Sequence, residues 1–445
     1  MWILGKTLER FLRIWYKIYY VKETIKKIIT EFHERGLPNL IERDIDKQLL
    51  NLPLAKVIVG PRRAGKTYVL FQIMKEMEKK GKSIKDFIYI NFEDNRLIDF
   101  NYKNFEDIIE GYAELYPSKK PIFFLDEIHN IRGWEFFVRR LVDQKYNVYI
   151  TGSNAHLLSN EYATKLGGRY VEIQIYPLNF KEFIKFKGIR ITKNIFYSHK
   201  RFFLLKYFNE YIRWGGFPEV VLLTTSEKEA VLKAYLDSVI YRDIISRYKI
   251  QDTKIIELLV KKLAENITNP FSFSSIVKKI KTLGFNTNVK TISSYYSYLL
   301  ESFFIINATQ KKESFLKREM ERKAYFIDNG YLSLFYMNKN KDKLLENVIA
   351  RYTAEKLGQV VYYRNKYEID FADIPMQVTY ELTEDNRKRE IDGLLNYMAK
   401  TDKKKGIVIT YNQENIEEKG GMKIYIIPAY KYLLGYTPFK NMKQK

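Results

Sequence analysis

The run KVIVGPRRAGKTYVLF, Lys56 to Phe71, sets a β-branched stretch, a glycine-bounded loop and an apolar helical stretch back to back. Few chains can place such a loop anywhere but at the carboxyl end of a buried strand. Gly60, Pro61, Arg62, Arg63, Ala64, Gly65, Lys66 and Thr67 match G-x-x-x-x-G-K-[ST], and Tyr68 continues into the helix that follows. The two glycines let the backbone curl so that successive N–H groups converge on phosphate oxygens, and the helix start adds its positive end. Lys66 would reach the outer phosphates and Thr67 would offer its hydroxyl to Mg²⁺.

A second stretch, PIFFLDEIHN, ends an apolar strand in Asp126 and Glu127. Two carboxylates closing such a strand are costly to keep unless used. Asp126 suits Mg²⁺ through water, and Glu127 suits a base that orients the attacking water. The next strand ends YITGSN, which brings Thr151, Ser153 or Asn154 beside those acids. Glu93 and Asp94 of INFED close another strand, with no role that the residues assign. Arg169, in LGGRY, is expected on a loop at the same side of the sheet.

AKVIVG, DFIYINF, PIFFLDE, YNVYITG and RYVEIQIYPL are the expected strands, separated by helical stretches. That alternation predicts an α/β fold: a P-loop parallel sheet with helices on both faces. The expected organisation is a helical segment over 1–50, the phosphate-loop core over 51–180, a helical lid over 181–250, a winged-helix-like block over 251–338 and a small α/β block over 339–445. At 445 residues, several domains are expected. A net charge of +23 favours an acidic partner such as nucleic acid. With no cysteine and four histidines, thiolate metal sites and cysteine nucleophiles are excluded and a histidine cage is disfavoured. The N-terminal stretch holding Trp2, Leu4, Leu8, Leu12, Trp15 and Ile18 or Tyr19 has no apolar run long enough for a membrane span and no signal peptide, so it reads as an amphipathic helix and the protein as cytoplasmic.

Taken in order, GPRRAGKTYVL, YINFEDNRL, FFLDEIHN, ITGSNAHLLS, LGGRY, YPLNFKEF, WGGFPEV and YRDII resemble the prokaryotic, especially archaeal, AAA-type ATPases that carry a long C-terminal region. The resemblance covers nearly the whole chain. It implies ATP as the nucleotide, a winged-helix middle and a C-terminal domain similar to the restriction-endonuclease fold. It also implies Asn154 or Ser153 as a phosphate sensor, and Arg169 as an arginine acting near the nucleotide, in its own subunit or a neighbouring one of a homo-oligomer.

PFSFSSIVKKIKTLGFNTNVKTISSYYSYLLESFFI has the grammar of a helix-turn-helix. Ser272 or Ser274 would cap the first helix, Gly284 would break it, and a second would begin near Asn288. Lys278, Lys279, Lys290 and Thr291 are the candidate DNA contacts, with Lys281 on the flank and Val289, Ile292, Tyr296 and Leu299 or Leu300 expected inside. Farther on, Glu346, Asp370 and Gln377 follow the spacing of a metal-dependent nuclease, but the position of its lysine holds Thr379. Lys366 or Lys388 could replace that lysine only by turning inward, so a degenerate site is expected. The combined expectation is an Mg²⁺-dependent ATPase working as a switch or motor on DNA. An ATP-gated DNA-binding regulator with little turnover and an ATP-gated nuclease are the alternatives.

Overall fold

The computed structural model describes residues 20–154, 164–192, 194–312, 321–335 and 340–437. The hydrophobic N-terminal positions Trp2 to Tyr19 and the last residues of the chain lie outside them. Two compact units divide the chain: residues 1–60 with 65–175, and residues 61–64 with 176–445.

The first unit is built on five parallel strands, β1 (Ala55–Val59), β2 (Phe87–Asn91), β3 (Ile122–Asp126), β4 (Val148–Gly152) and β5 (Tyr170–Gln174), in the order β2-β3-β4-β1-β5. β1, β3 and β4 are buried along their whole length, and their side chains are mostly apolar, with Lys56, Asp126 and Thr151 the buried exceptions. Edge strand β5 alternates more openly. The helices α1 (Lys66–Glu78), α2 (Phe105–Leu115) and α3 (Trp134–Asp143) connect or flank them. Residues 20–35 form a helix that buries Val21, Ile25, Ile28, Ile29 and Phe32 at helical spacing. Its Lys22 and Lys26 reach Glu114 of α2 at 2.8 and 3.0 Å.

After a short helix, Phe180–Phe186, the second unit continues with the longer helices α4 (Lys200–Trp214), α5 (Thr225–Asp237) and α6 (Thr253–Glu265). Between α4 and α5, the WGG turn is forced by crowding. Gly215 has φ +71°, and a Cβ on Gly216 would lie 2.2 Å from the Leu178 carbonyl oxygen. The Gly216 amide donates instead to buried Asp328 at 2.7 Å, and the Gly330 amide donates to the same carboxylate at 2.7 Å. Burial pushes the Asp328 carboxyl up to about 6.

Helices α7 (Phe273–Thr282) and α8 (Val289–Glu301) follow, capped by Ser272 and Asn288 through side-chain oxygens that accept from Ser275 and Thr291 amides. Strands β6 (Ile305–Gln310) and β7 (Lys323–Phe326) then pair antiparallel. β6 also pairs parallel with β8 (Val360–Arg364), and β8 with β9 (Glu368–Ile369), giving the sheet β7-β6-β8-β9. Strands from both sides of residue 338 therefore share one sheet. Between them runs helix α9 (Lys341–Leu357). The last sheet, β10-β11-β13-β12, comprises β10 (Met376–Val378), β11 (Lys405–Thr410), β12 (Asn415–Lys419) and β13 (Met422–Pro428), with helix α10 (Glu384–Lys400) between β10 and β11. Among the described residues, no helix is long and apolar enough to cross a membrane.

Candidate functional site

Parallel pairing brings the carboxyl ends of β1, β3 and β4 to one edge, where ligands bind in open α/β sheets. Gly60 leaves β1 with φ +149°, and a Cβ there would sit 2.0 Å from the Ile175 carbonyl oxygen. Only glycine fits. Gly65, at φ +94°, starts α1 without a side-chain cap, which leaves its first amides for another partner. Lys66 is buried, and its ammonium donates to the Gly60 carbonyl at 3.2 Å while lying 3.4 Å from Glu127 Oε1.

Asp126 is the hub. Thr67 donates to it at 2.8 Å, Tyr89 of β2 donates at 3.0 Å, and Thr151 of β4 donates to its other oxygen. Burial, and then the neighbouring charge of Glu127, raises the Asp126 carboxyl above its ordinary pKa. Such a carboxylate fits a cation, and the Thr67 hydroxyl beside it supplies the other oxygen expected around Mg²⁺. Glu127 adopts a left-handed backbone, φ +51°, which turns its side chain away from the strand direction. Its carboxylate accepts from the Ser153 amide at 3.2 Å and lies 3.3 Å from His129 Nδ1. Ser153 and Asn154 are both buried, and the Ser153 hydroxyl has no hydrogen-bond partner among the described residues.

Sequence reasoning missed Tyr89 and His129. Tyr89 looks like another apolar strand residue until β2 is paired with β3, and His129 lies just past the acidic pair it approaches. The side chains of Arg62 and Arg63 pair with carboxylates, while the phosphate-loop reading asks only for their backbone N–H groups. Arg62 Nε contacts both oxygens of Asp243 at 2.8 and 2.7 Å, within a π-helical stretch, Ser238–Ser246, and Arg63 lies 3.7 Å from Glu219. Asp94 caps a short turn and holds Arg96 at 2.8 Å.

Arg169 requires a correction. It was expected on the phosphate side, but it immediately precedes β5, which runs parallel to β1 with Ala55 opposite Tyr170. Its carbonyl accepts from the Ala55 amide and its guanidinium pairs with Asp143. A residue that enters a parallel strand lies at the amino edge of the sheet, opposite the loop that leaves β1.

On α7 and α8, Lys278, Lys279, Lys281 and Lys290 are exposed and form no ion pair among the described residues. Ile292, Tyr296 and Leu299 are buried, but Val289, expected inside, is 45% exposed. It occupies the first position of α8, before the helix has turned its apolar face inward. The Thr291 hydroxyl is engaged locally with Asn288 at 3.3 Å.

Glu346 of α9, Asp370 and Gln377 do converge. Gln377 accepts from the Asp370 amide at 2.9 Å, and Asp370 accepts from the Val378 amide at 3.0 Å. Lys366 and Lys388 stay exposed. The cation arrives instead from β7, where fully buried Lys323 lies 3.5 Å from Glu346, 2.5 Å from Glu368 and 3.6 Å from Asp370. Burial works against its ammonium, but Glu346, Asp370 and Glu368 outweigh that and hold its pKa above that of free lysine. Tyr325 donates to Glu346 at 2.7 Å. Among the described residues, no group of three or more acidic or histidine side chains is placed to hold a metal ion.

The sheet and its loop form a P-loop α/β fold, and the model of the AAA domain family matches the part of the chain that builds it, residues 53–184. A second model, a domain of unknown function (DUF8612), matches residues 205–342. The chain is 36% identical over 447 residues to an uncharacterised protein of Methanocaldococcus jannaschii, covering 94% of this chain and 98% of that one, and it belongs to that protein's family. An uncharacterised protein of Haemophilus influenzae is 32% identical over 402 residues, covering 85% and 95%. Among solved structures the chain is similar to a Walker-type ATPase of Pyrococcus abyssi (14% identical, 65% of this chain and 93% of that one, TM-score 0.42). It is also similar to AMPPCP-bound DnaA from Aquifex aeolicus (15%, 62% and 86%, TM-score 0.26).

Proposed function

We propose that the protein is an Mg²⁺-dependent ATPase that acts as a nucleotide-driven switch or motor on DNA in the cytoplasm. The observation that carries this reading is the meeting of Lys66, Thr67, Asp126 and Glu127 at one edge of the sheet. In it, Lys66 neutralises the outer phosphates, and Thr67 and Asp126 hold the cation. Bound Mg²⁺ spreads the charge that develops on the phosphoryl group. Glu127 orients water, and the Ser153 hydroxyl and Asn154 report whether the terminal phosphate is present. Lys278, Lys279 and Lys290, which have no ion-pair partner among the described residues, supply the phosphate contacts to DNA.

ATP turnover by the purified protein, with and without duplex DNA, tests this reading. DNA is expected to raise the rate, and Lys66→Ala to lower it at least about a hundredfold, the usual loss when an electrostatic stabiliser of a transition state is removed. Equal turnover in wild type and Lys66→Ala would overturn the ATPase, and salt-insensitive or absent DNA binding would overturn the DNA role.

A second reading, an ATP-gated nuclease, is favoured by one observation: Lys323 brings a cation to Glu346 and Asp370 where Thr379 cannot. Cleavage assayed with Mg²⁺ or Mn²⁺ that persists in Asp370→Ala would remove it.

A further inference from the structure

A groove of about 660 Å³ on the first unit takes no part in the nucleotide chemistry. Its walls are the turn Tyr102–Asn104, the start of α2 and the start of α3. Phe105 and Phe137 form the floor, stacked with ring centroids 4.5 Å apart and both buried. On the rim, Tyr102 and Phe136 are each 60% exposed, two large rings at one groove. Gly133, at φ +79°, is what admits Tyr102: a Cβ there would lie 3.3 Å from the tyrosine Cβ.

The charge around these rings is one-sided. Lys103, Arg132 and Arg140 line the groove against one carboxylate, Glu106, which pairs with Arg140. Lys103 and Arg132 form no ion pair among the described residues, and the Lys103 ammonium sits 5.9 Å from the Tyr102 ring centroid. Helices α2 and α3 both begin here, so their positive ends add to the same field.

We propose that this groove binds single-stranded nucleic acid, an inference that rests on the DNA reading above and names the form engaged. Exposed ring faces flanked by cations match unpaired bases joined by phosphates, because every base has a face to stack and every linkage a charge to neutralise. A duplex keeps its base faces inside the stack, and an acidic peptide offers charge without rings.

The test is anisotropy of a fluorescein-labelled oligo(dT) with the full-length protein, beside a labelled duplex of mixed sequence. Tyr102→Ala and Phe136→Ala, both at exposed positions, are each expected to weaken oligo(dT) binding about tenfold, as loss of one stacked base does, and to leave duplex affinity unchanged. Arg132→Glu is expected to weaken oligo(dT) binding as well. Unchanged oligo(dT) affinity in both ring variants overturns the proposal, as does poly(glutamate) that displaces oligo(dT) as well as unlabelled oligo(dT) does. Wild type that binds duplex and not oligo(dT) overturns the groove and leaves the DNA reading standing. Failure to bind either overturns both.

Discussion

Glu127→Gln is expected to retain bound ATP and to lose turnover by about 10²–10⁴-fold, the range for removal of a general base. The substitution keeps the shape of the side chain and an oxygen able to accept from the Ser153 amide, 3.2 Å away in the wild type. What goes is the negative charge, which Lys66 faces at 3.4 Å and which water activation requires. The backbone at this position supports a functional role. A glutamate at φ +51° costs on the order of 1–3 kcal/mol, which packing must offset, and the return is a carboxylate turned toward the phosphate loop. Binding of a fluorescent ATP analogue and steady-state phosphate release separate the two effects. Turnover at the wild-type rate would remove Glu127 from the chemistry.

Lys323→Ala is expected to destabilise the second unit by about 3–5 kcal/mol at neutral pH, the cost of stripping one partner from a buried ion cluster. Three carboxylates, Glu346, Glu368 and Asp370, would then face each other without their cation. The loss has a defined pH dependence. Burial, followed by the charge of Asp370, already raises the Glu346 carboxyl, and burial raises Asp370 although the Lys323 charge holds it down. Removing the ammonium raises both further. A carboxyl whose folded pKa exceeds its unfolded value weighs against the fold above the folded pKa and costs nothing below the unfolded one. The defect is therefore greatest at neutral and alkaline pH and shrinks as pH falls toward about 4, the ordinary carboxylate range. Urea unfolding at neutral and mildly acidic pH measures it. A variant as stable as wild type at neutral pH would show that the cluster holds nothing together.

The parallel sheet and its phosphate loop were legible because each signal is local. The strand, the loop and the helix of residues 56–71 are consecutive, and Asp126 and Glu127 close a single apolar run. The caps were legible in part for the same reason, since a cap acts within three residues: Ser272 was one of two candidates beside Ser274, and Asn288 marked where the second helix begins without being read as its cap. Lys323 was not. It reaches Glu346 and Asp370 only because β7, α9 and β9 fold together, and an isolated lysine in a short apolar strand carries no mark of that. Tyr89 and Asp243 were hidden likewise, one by strand pairing and the other by a separation of 181 residues from Arg62. Arg169 was misplaced because its glycine-rich surroundings signal a turn but not which edge of the sheet the turn occupies. That is decided by strand direction, which parallel pairing with β1 fixes.

The position of Arg169 bears on stoichiometry. The phosphate loop leaves β1 at one end and Arg169 meets the same strand at the other, so a strand of five residues, about 15 Å, separates them. No side-chain rotation closes that gap, and an Arg169 that touches a nucleotide touches one held by another copy of the chain. Catalysis that uses it is cooperative in protein concentration: activity per molecule falls on dilution. If Arg169 acts this way, mixing an Arg169→Ala chain with a Lys66→Ala chain restores the turnover that each lacks alone; Arg169→Ala that turns over ATP as wild type does leaves the residue as the partner of Asp143.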